Sequence, residues 1–175
     1  MQLYNLCGVT LLVFLMTGCS MTYRAGIHPI PSDLKVKEFR GQAEAISVKS
    51  EGTEGKVLIG NIIPYSHYAD LKQVTDVMVF FLESELYKRG FSIEKDASKS
   101  INLNVLKTEL IYLRVTSQYL CKITISYGTN EFGRVFSSYN SSWLYNRACD
   151  GAITRGVVDL LNDEELVDFL ESKER

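Results

Sequence analysis

Apolar positions along the chain follow three rhythms, and each predicts a different element. A continuous apolar run covers Leu6–Met16 at the start. Three- and four-residue steps then pick out Leu71, Val74, Met78, Phe81, Leu82 and Glu85/Leu86, which puts one buried stripe on a helix over about Ala69–Arg89. Asp70 or Ser66 can cap its start; Lys88 and Arg89 suit its negative end, and Gly90 supplies the left-handed residue beyond it. Alternation predicts strands at Glu44–Lys49, Lys56–Ile62 and Ile101–Val105, where the apolar parity then moves to Leu106, Thr108, Leu110 and Tyr112. A one-residue shift of that kind turns a whole face over, so a β-bulge is expected near Val105–Leu106. Tyr119, Cys121, Ile123, Ile125 and Tyr127 form the next face, and Val135, Tyr139, Trp143 and Tyr145 continue it beyond the turn Gly128–Gly133. Folding that hairpin about Asn130–Glu131 is read as setting Ile123 opposite Tyr139 and Cys121 opposite Ser141. A closing helix is expected from about Asp150, broken at Asn162-Asp163 and resumed through Leu166, Phe169 and Leu170. The sum is an α+β domain: an antiparallel sheet of about four to five strands with two helices packed on one face.

Composition narrows this picture. The 175 residues are 46% hydrophobic and 23% charged, with 3 Pro and 12 Gly, values of a globular chain rather than a disordered or repetitive one. A net charge of −2 argues against binding nucleic acid through phosphate contacts. With 2 His and 4 Cys there is little material for a catalytic or metal constellation, and no cofactor is expected. Ser20–Asp33 shows neither period and carries Pro29 and Pro31, so it reads as a tether containing a solvated His28. The expected organisation is a leader over residues 1–18, an acylated N-terminus and tether over 19–33, and one periplasmic domain over 34–175.

The leader carries the most specific signal. No Asp, Glu, Lys or Arg precedes Arg24, and an apolar run of this length is too short to span a bilayer, which takes roughly 20 residues. It fits the core of a secretory signal peptide. Its end, Leu15-Met16-Thr17-Gly18-Cys19, resembles the bacterial lipobox. That resemblance implies a diacylglyceryl group on the Cys19 thiol, cleavage after the small Gly18, and a further acyl chain on the freed amine. Several chains give stable anchoring without a transmembrane helix, since each buried CH₂ contributes about 0.8 kcal/mol. Ser20 follows the cysteine where Asp is the usual inner-membrane retention signal, so the resemblance implies the outer membrane.

The mature chain resembles the YajG-type bacterial envelope lipoproteins, a group of small sheet-and-two-helix domains. The matching stretches are the lipobox at Cys19, Leu86-Tyr87-Lys88-Arg89-Gly90-Phe91, the strand Ile101–Val105, and the closing run from Leu160 to Leu170. The resemblance implies location and fold rather than an activity.

Candidate chemistry is sparse. Cys121 and Cys149 remain after processing, and an oxidising compartment favours a disulfide between them. If the strand after Ser141 runs straight, eight residues at about 3.3 Å each carry Cys149 far past the Cα limit of about 7 Å. A bend after Asn146 closes that distance; otherwise Cys121 is a buried core thiol. Ser66, His67 and Asp70 suggest a Ser-His-Asp set on paper, yet Ser66 and Asp70 fit better as helix caps. Asp163-Glu164-Glu165 reads as a capped, solvated first turn rather than a metal site. Ile111 and Leu113 lie on the parity opposite Leu110 and Tyr112 and are the candidate partner surface, alongside the open edge of the sheet. The expectation is a non-enzymatic outer-membrane lipoprotein that binds a protein of an envelope assembly or transport system. The alternative is a carrier or sensor of a small apolar ligand held between sheet and helices around Tyr139, Trp143 and Tyr145.

Overall fold

The computed structural model describes residues 19–39 and 45–172. The expected leader, Gly18 included, lies outside the described residues. The described elements run β1 (Cys19–Tyr23), β2 (Ala45–Ser50), β3 (Lys56–Ile62), β4 (Tyr65–Asp70) and α1 (Leu71–Lys88). They continue through β5 (Ser92–Ile93), β6 (Lys99–Leu113), β7 (Gln118–Gly128), β8 (Gly133–Ser142), α2 (Tyr145–Asn162) and α3 (Glu164–Glu171). None of the described helices is long and apolar enough to cross a membrane.

The α1 helix forms where the apolar steps place it, and its ends follow from local chemistry. The Asp70 carboxylate accepts the Lys72 and Gln73 backbone N–H groups at 3.0 and 3.2 Å. Gly90 takes φ 91° at the other end, and the Phe91 N–H reaches back to the Leu86 carbonyl at 3.2 Å. Phe91 is buried, as is the stripe of Val74, Met78, Leu82 and Leu86.

The strands form two mixed sheets, not a purely antiparallel one. In the five-stranded sheet, ordered β5-β2-β6-β7-β8, β2 runs parallel to both β5 and β6. A crossover through α1 separates β2 from β6, and a crossover of that length allows a parallel return that a hairpin forbids. A second sheet, ordered β1-β4-β3, was not foreseen. Its β4 buries His67 and Ala69, one polar and one small, so it lacks the apolar alternation that announces a strand. β1 pairs in parallel with β4 along Cys19–Tyr23, the segment read from sequence as the head of a tether.

The bulge lies where the parity shift puts it. Register slips between Val105 and Lys107, leaving Leu106 exposed while Val105 and Thr108 both face inward. The next hairpin corrects the expected pairing by one residue. Gly128 closes on Gly133, which sets Ile123 against Ser138 and Cys121 against Asn140 rather than Tyr139 and Ser141. The cause is α2, which packs so closely that Gly151 abuts the Asn140 side chain and Gly156 sits against Ile125 and Ser138. Only small or flat side chains fit on that face of β8, so Tyr139 is turned out.

The chain bends at Trp143–Leu144, immediately after β8, and α2 begins at Tyr145 instead of near Asp150. That bend folds Cys149 back over β7, where it is bonded to Cys121 with the Cα atoms 5.0 Å apart. Asp163 ends α2 and caps α3 by accepting the Leu166 N–H at 3.1 Å.

Candidate anchor end and binding face

Cys19 opens β1, is exposed, and is the one free cysteine among the described residues. It pairs with Tyr65, and Ser20 with Ser66, so both residues belong to the edge of the three-stranded sheet. From there the backbone is fastened to the body of the domain. The Tyr23 hydroxyl donates to Asp150 Oδ1 at 2.6 Å, and the Gly26 N–H donates to the same oxygen at 2.9 Å. His28 Nε2 stands 2.9 Å from Asp150 Oδ2, and the Arg147 guanidinium lies 3.2 Å from His28 Nδ1. The same guanidinium nitrogen stands 3.4 Å from Nε2, so His28 sits between Arg147 and Asp150. Burial, reinforced by the hydrogen bond to Asp150, pushes the Tyr23 phenol far above its ordinary value and keeps it a donor.

Further along, the Lys37 N–H donates to Asn162 Oδ1 at 2.7 Å, and Phe39 packs on Phe91 beneath Arg89. The stretch read as a tether is a strap laid across α2 to the end of α1. His28 is part of its clasp rather than a solvated loop residue. Sequence reasoning missed this because the partners lie more than a hundred residues apart and no local period marks them. Both carboxylate oxygens of Asp150 accept from strap donors, so the cluster holds the chain to α2.

The Ser-His-Asp set does not assemble. Ser66 donates to Asn61 at 2.9 Å, while His67 on the opposite side of β4 is buried against the Tyr145 ring at 4.9 Å. Burial lowers its pKa. Asp70 is occupied as the helix cap. In the acidic run, Asp163 is a cap, and both it and Glu165 are ion-paired to Arg134. A recess of about 390 Å³ lies between β3 and β6, lined by Leu58, Gly60, Leu106 and the unpartnered Thr108 hydroxyl among others. Lys107 and Glu109, ion-paired to each other at 2.8 Å, also line it.

The two residues expected to form a partner surface lie on the outer face of the five-stranded sheet. Ile111 is exposed and Leu113 half-buried. Cross-strand rows join Ile111 to Leu120 and Ser141, and Glu109 to Lys122 and Tyr139. Tyr139 and Trp143 are 66% and 65% exposed, so neither lines an interior between sheet and helices. Tyr145 does turn inward, onto His67 and Tyr119. β8 ends the sheet with its far edge unpaired by any described strand.

No protein-family model matches the chain, and no curated protein does. Solved structures do. One is a Xanthomonas campestris protein of family model DUF330, at 12% identity and a TM-score of 0.45, covering 85% of this chain and 91% of that one. Another is an uncharacterized protein at 10% identity and a TM-score of 0.42, covering 82% and 94%. A third is a Helicobacter pylori protein described as a neuraminyllactose-binding hemagglutinin homolog, at 12% identity and a TM-score of 0.39, covering 83% and 97%.

Proposed function

We propose that the chain is a non-enzymatic outer-membrane lipoprotein, acylated at Cys19, whose periplasm-facing domain binds a protein of an envelope assembly or transport system. Gly18 and Ser20 serve processing and sorting, as the likeness to a lipobox and to YajG-type lipoproteins implies. The observation that carries the reading is Cys19 itself: an exposed thiol at the start of β1, following an apolar run that ends in Gly18. The bonded Cys121 and Cys149 support it, because such bridges persist in oxidising compartments. In this reading α1 and α2 cover one face of the five-stranded sheet and leave the other, with Ile111, Leu113, Leu120 and Tyr139, to a partner. The open edge of β8 offers a second means of engagement by strand addition.

Fatty-acid labelling and fractionation of Cys19→Ser test the anchor. The variant is expected to lose both label and membrane association; a variant still labelled and in the membrane pellet defeats the assignment. For the partner face, a photo-crosslinking residue at Tyr139 in intact cells is expected to give a discrete protein adduct that Ile111→Asp abolishes. An adduct indifferent to Ile111→Asp removes the face from the interaction.

A further inference from the structure

Cys19 lies at one end of the molecule, and that end has an unusual surface. Cys19 pairs with Tyr65, and Ile62 pairs with Tyr65 from the other side, so the Ile63-Pro64 turn stands beside the cysteine. β3 lies along β6 with Gly60 against the Leu110 backbone and Val57–Leu58 flanking Leu106–Glu109. Both strands therefore advance in the same sense, and Ile63 arrives near the level where β6 turns into β7. The tip of that turn is Val115, fully exposed. Ser142 pairs with Tyr119 at the same level, and Trp143 and Leu144 emerge just past it. Ile63 is 95% exposed and Val115 100%, and Trp143 and Leu144 also face solvent. None of these four packs into the core.

The charge pattern of this end is one-sided. The four stretches that build it, residues 19–20, 61–66, 111–120 and 140–147, contain no Asp or Glu and two cations, Arg114 and Arg147. Apolar tips, Tyr and Trp rings and arginines without acids suit the boundary between lipid headgroups and acyl chains. Attachment supplies the geometry. With Cys19 in a paired strand and the strap clasped at Asp150, no slack separates an acyl chain on the Cys19 sulfur from the folded surface.

We infer that this end is a bilayer-docking surface: Ile63, Val115, Trp143 and Leu144 insert into the headgroup region of the leaflet that holds the Cys19 acyl chains, with Arg114 and Arg147 against phosphates. The inference rests on acylation at Cys19, and its test separates the two. Trp143 is the single tryptophan of the chain, so its fluorescence reports this surface alone.

The experiment uses the full chain purified from bacterial membranes, with acylation checked by mass spectrometry, in vesicles of phosphatidylethanolamine and phosphatidylglycerol with and without brominated acyl chains. Trp143 emission is expected to shift to the blue and to be quenched by the brominated lipid. The double variant Ile63→Glu, Val115→Glu alters two side chains that pack on nothing, and is expected to stay acylated and folded by circular dichroism while losing most of the quenching. An acylated protein with unquenched Trp143 overturns the docking surface and leaves the anchor standing. Quenching unchanged in the double variant also overturns it, as does protection of Trp143 by a copurifying protein rather than lipid. A chain with no acyl mass removes the anchor and this inference with it.

Discussion

Asp150 converts the N-terminal stretch from a linker into part of the fold. Its carboxylate is buried and receives a phenol, a backbone amide and an imidazole from Tyr23, Gly26 and His28. A hydrogen bond to a charged group contributes about 1.5–3 kcal/mol, so Tyr23→Phe is expected to lower unfolding stability by that amount in chemical denaturation. A change smaller than the error of the measurement would make the clasp ornamental. Glu85 is a second buried carboxylate. Burial pushes its pKa up, but hydrogen bonds and charge from Lys88 and Arg89 outweigh that and hold it below the ordinary value. A depressed folded pKa means the contribution is complete above the ordinary glutamate value, about 4.3, and is lost as pH falls through the folded one. Glu85→Gln is therefore expected to flatten the acid limb of the stability profile below that value and to leave its alkaline side in place. The sequence places Glu85 on the buried stripe beside Leu86 and Asp150 at the start of the closing helix, but the partners of Asp150 lie more than a hundred residues away and leave no local mark.

At the level of elements, the close seat of α2 on the sheet decides the register of β8. Gly156 stands against Ile125, Ser138 and Met78, leaving no room for a larger side chain. Gly156→Leu is expected to destabilise by about 1–3 kcal/mol through overpacking, read as a lower denaturation midpoint. The bridge from Cys121 to Cys149 ties the same two elements across 28 residues. Replacing both cysteines by Ala is expected to cost about 2–4 kcal/mol, with a matching fall in midpoint when the native protein is reduced. These contacts also explain what the sequence could and could not disclose. The α1 stripe with its Asp70 and Gly90 ends, and the slip near Val105, were legible because period and caps are local. The β8 pairing was not: Tyr139 looks like core by hydrophobicity, and only the glycines of a distant helix exclude it. β4 hid because its inward residues are His67 and Ala69, and the parallel β1–β4 and β2–β6 pairings hid because long-range partners leave no periodic mark.

For the whole molecule, the stretch from Cys19 to Phe39 is fastened to the rest of the domain rather than set off from it as a spacer. A chain beginning at residue 34 is expected to be about 3–5 kcal/mol less stable than one beginning at Cys19, from lost Tyr23 burial and its hydrogen bond. Equal midpoints for the two would return the stretch to the status of a linker. The candidate site was half legible. Cys19 stood out by its setting at the end of an apolar run, and Ile111 by its parity, whereas Trp143 and Tyr139 were assigned to the interior and lie outside it. The aromatics named for the alternative reading, a ligand between sheet and helices, are thus divided, with Tyr145 inside and Tyr139 and Trp143 outside.

The direction of β1 has a mechanical consequence. Traction on Cys19 away from the domain pulls along the strand axis, so the five β1–β4 pairs resist in shear together instead of unzipping singly. Behind them the Asp150 clasp passes any residual load from the strap to α2, which carries Asp150. In the proposed anchored form, a pull on the acyl chains thus meets its stiffest resistance at β1, and the outer face of the large sheet keeps its shape.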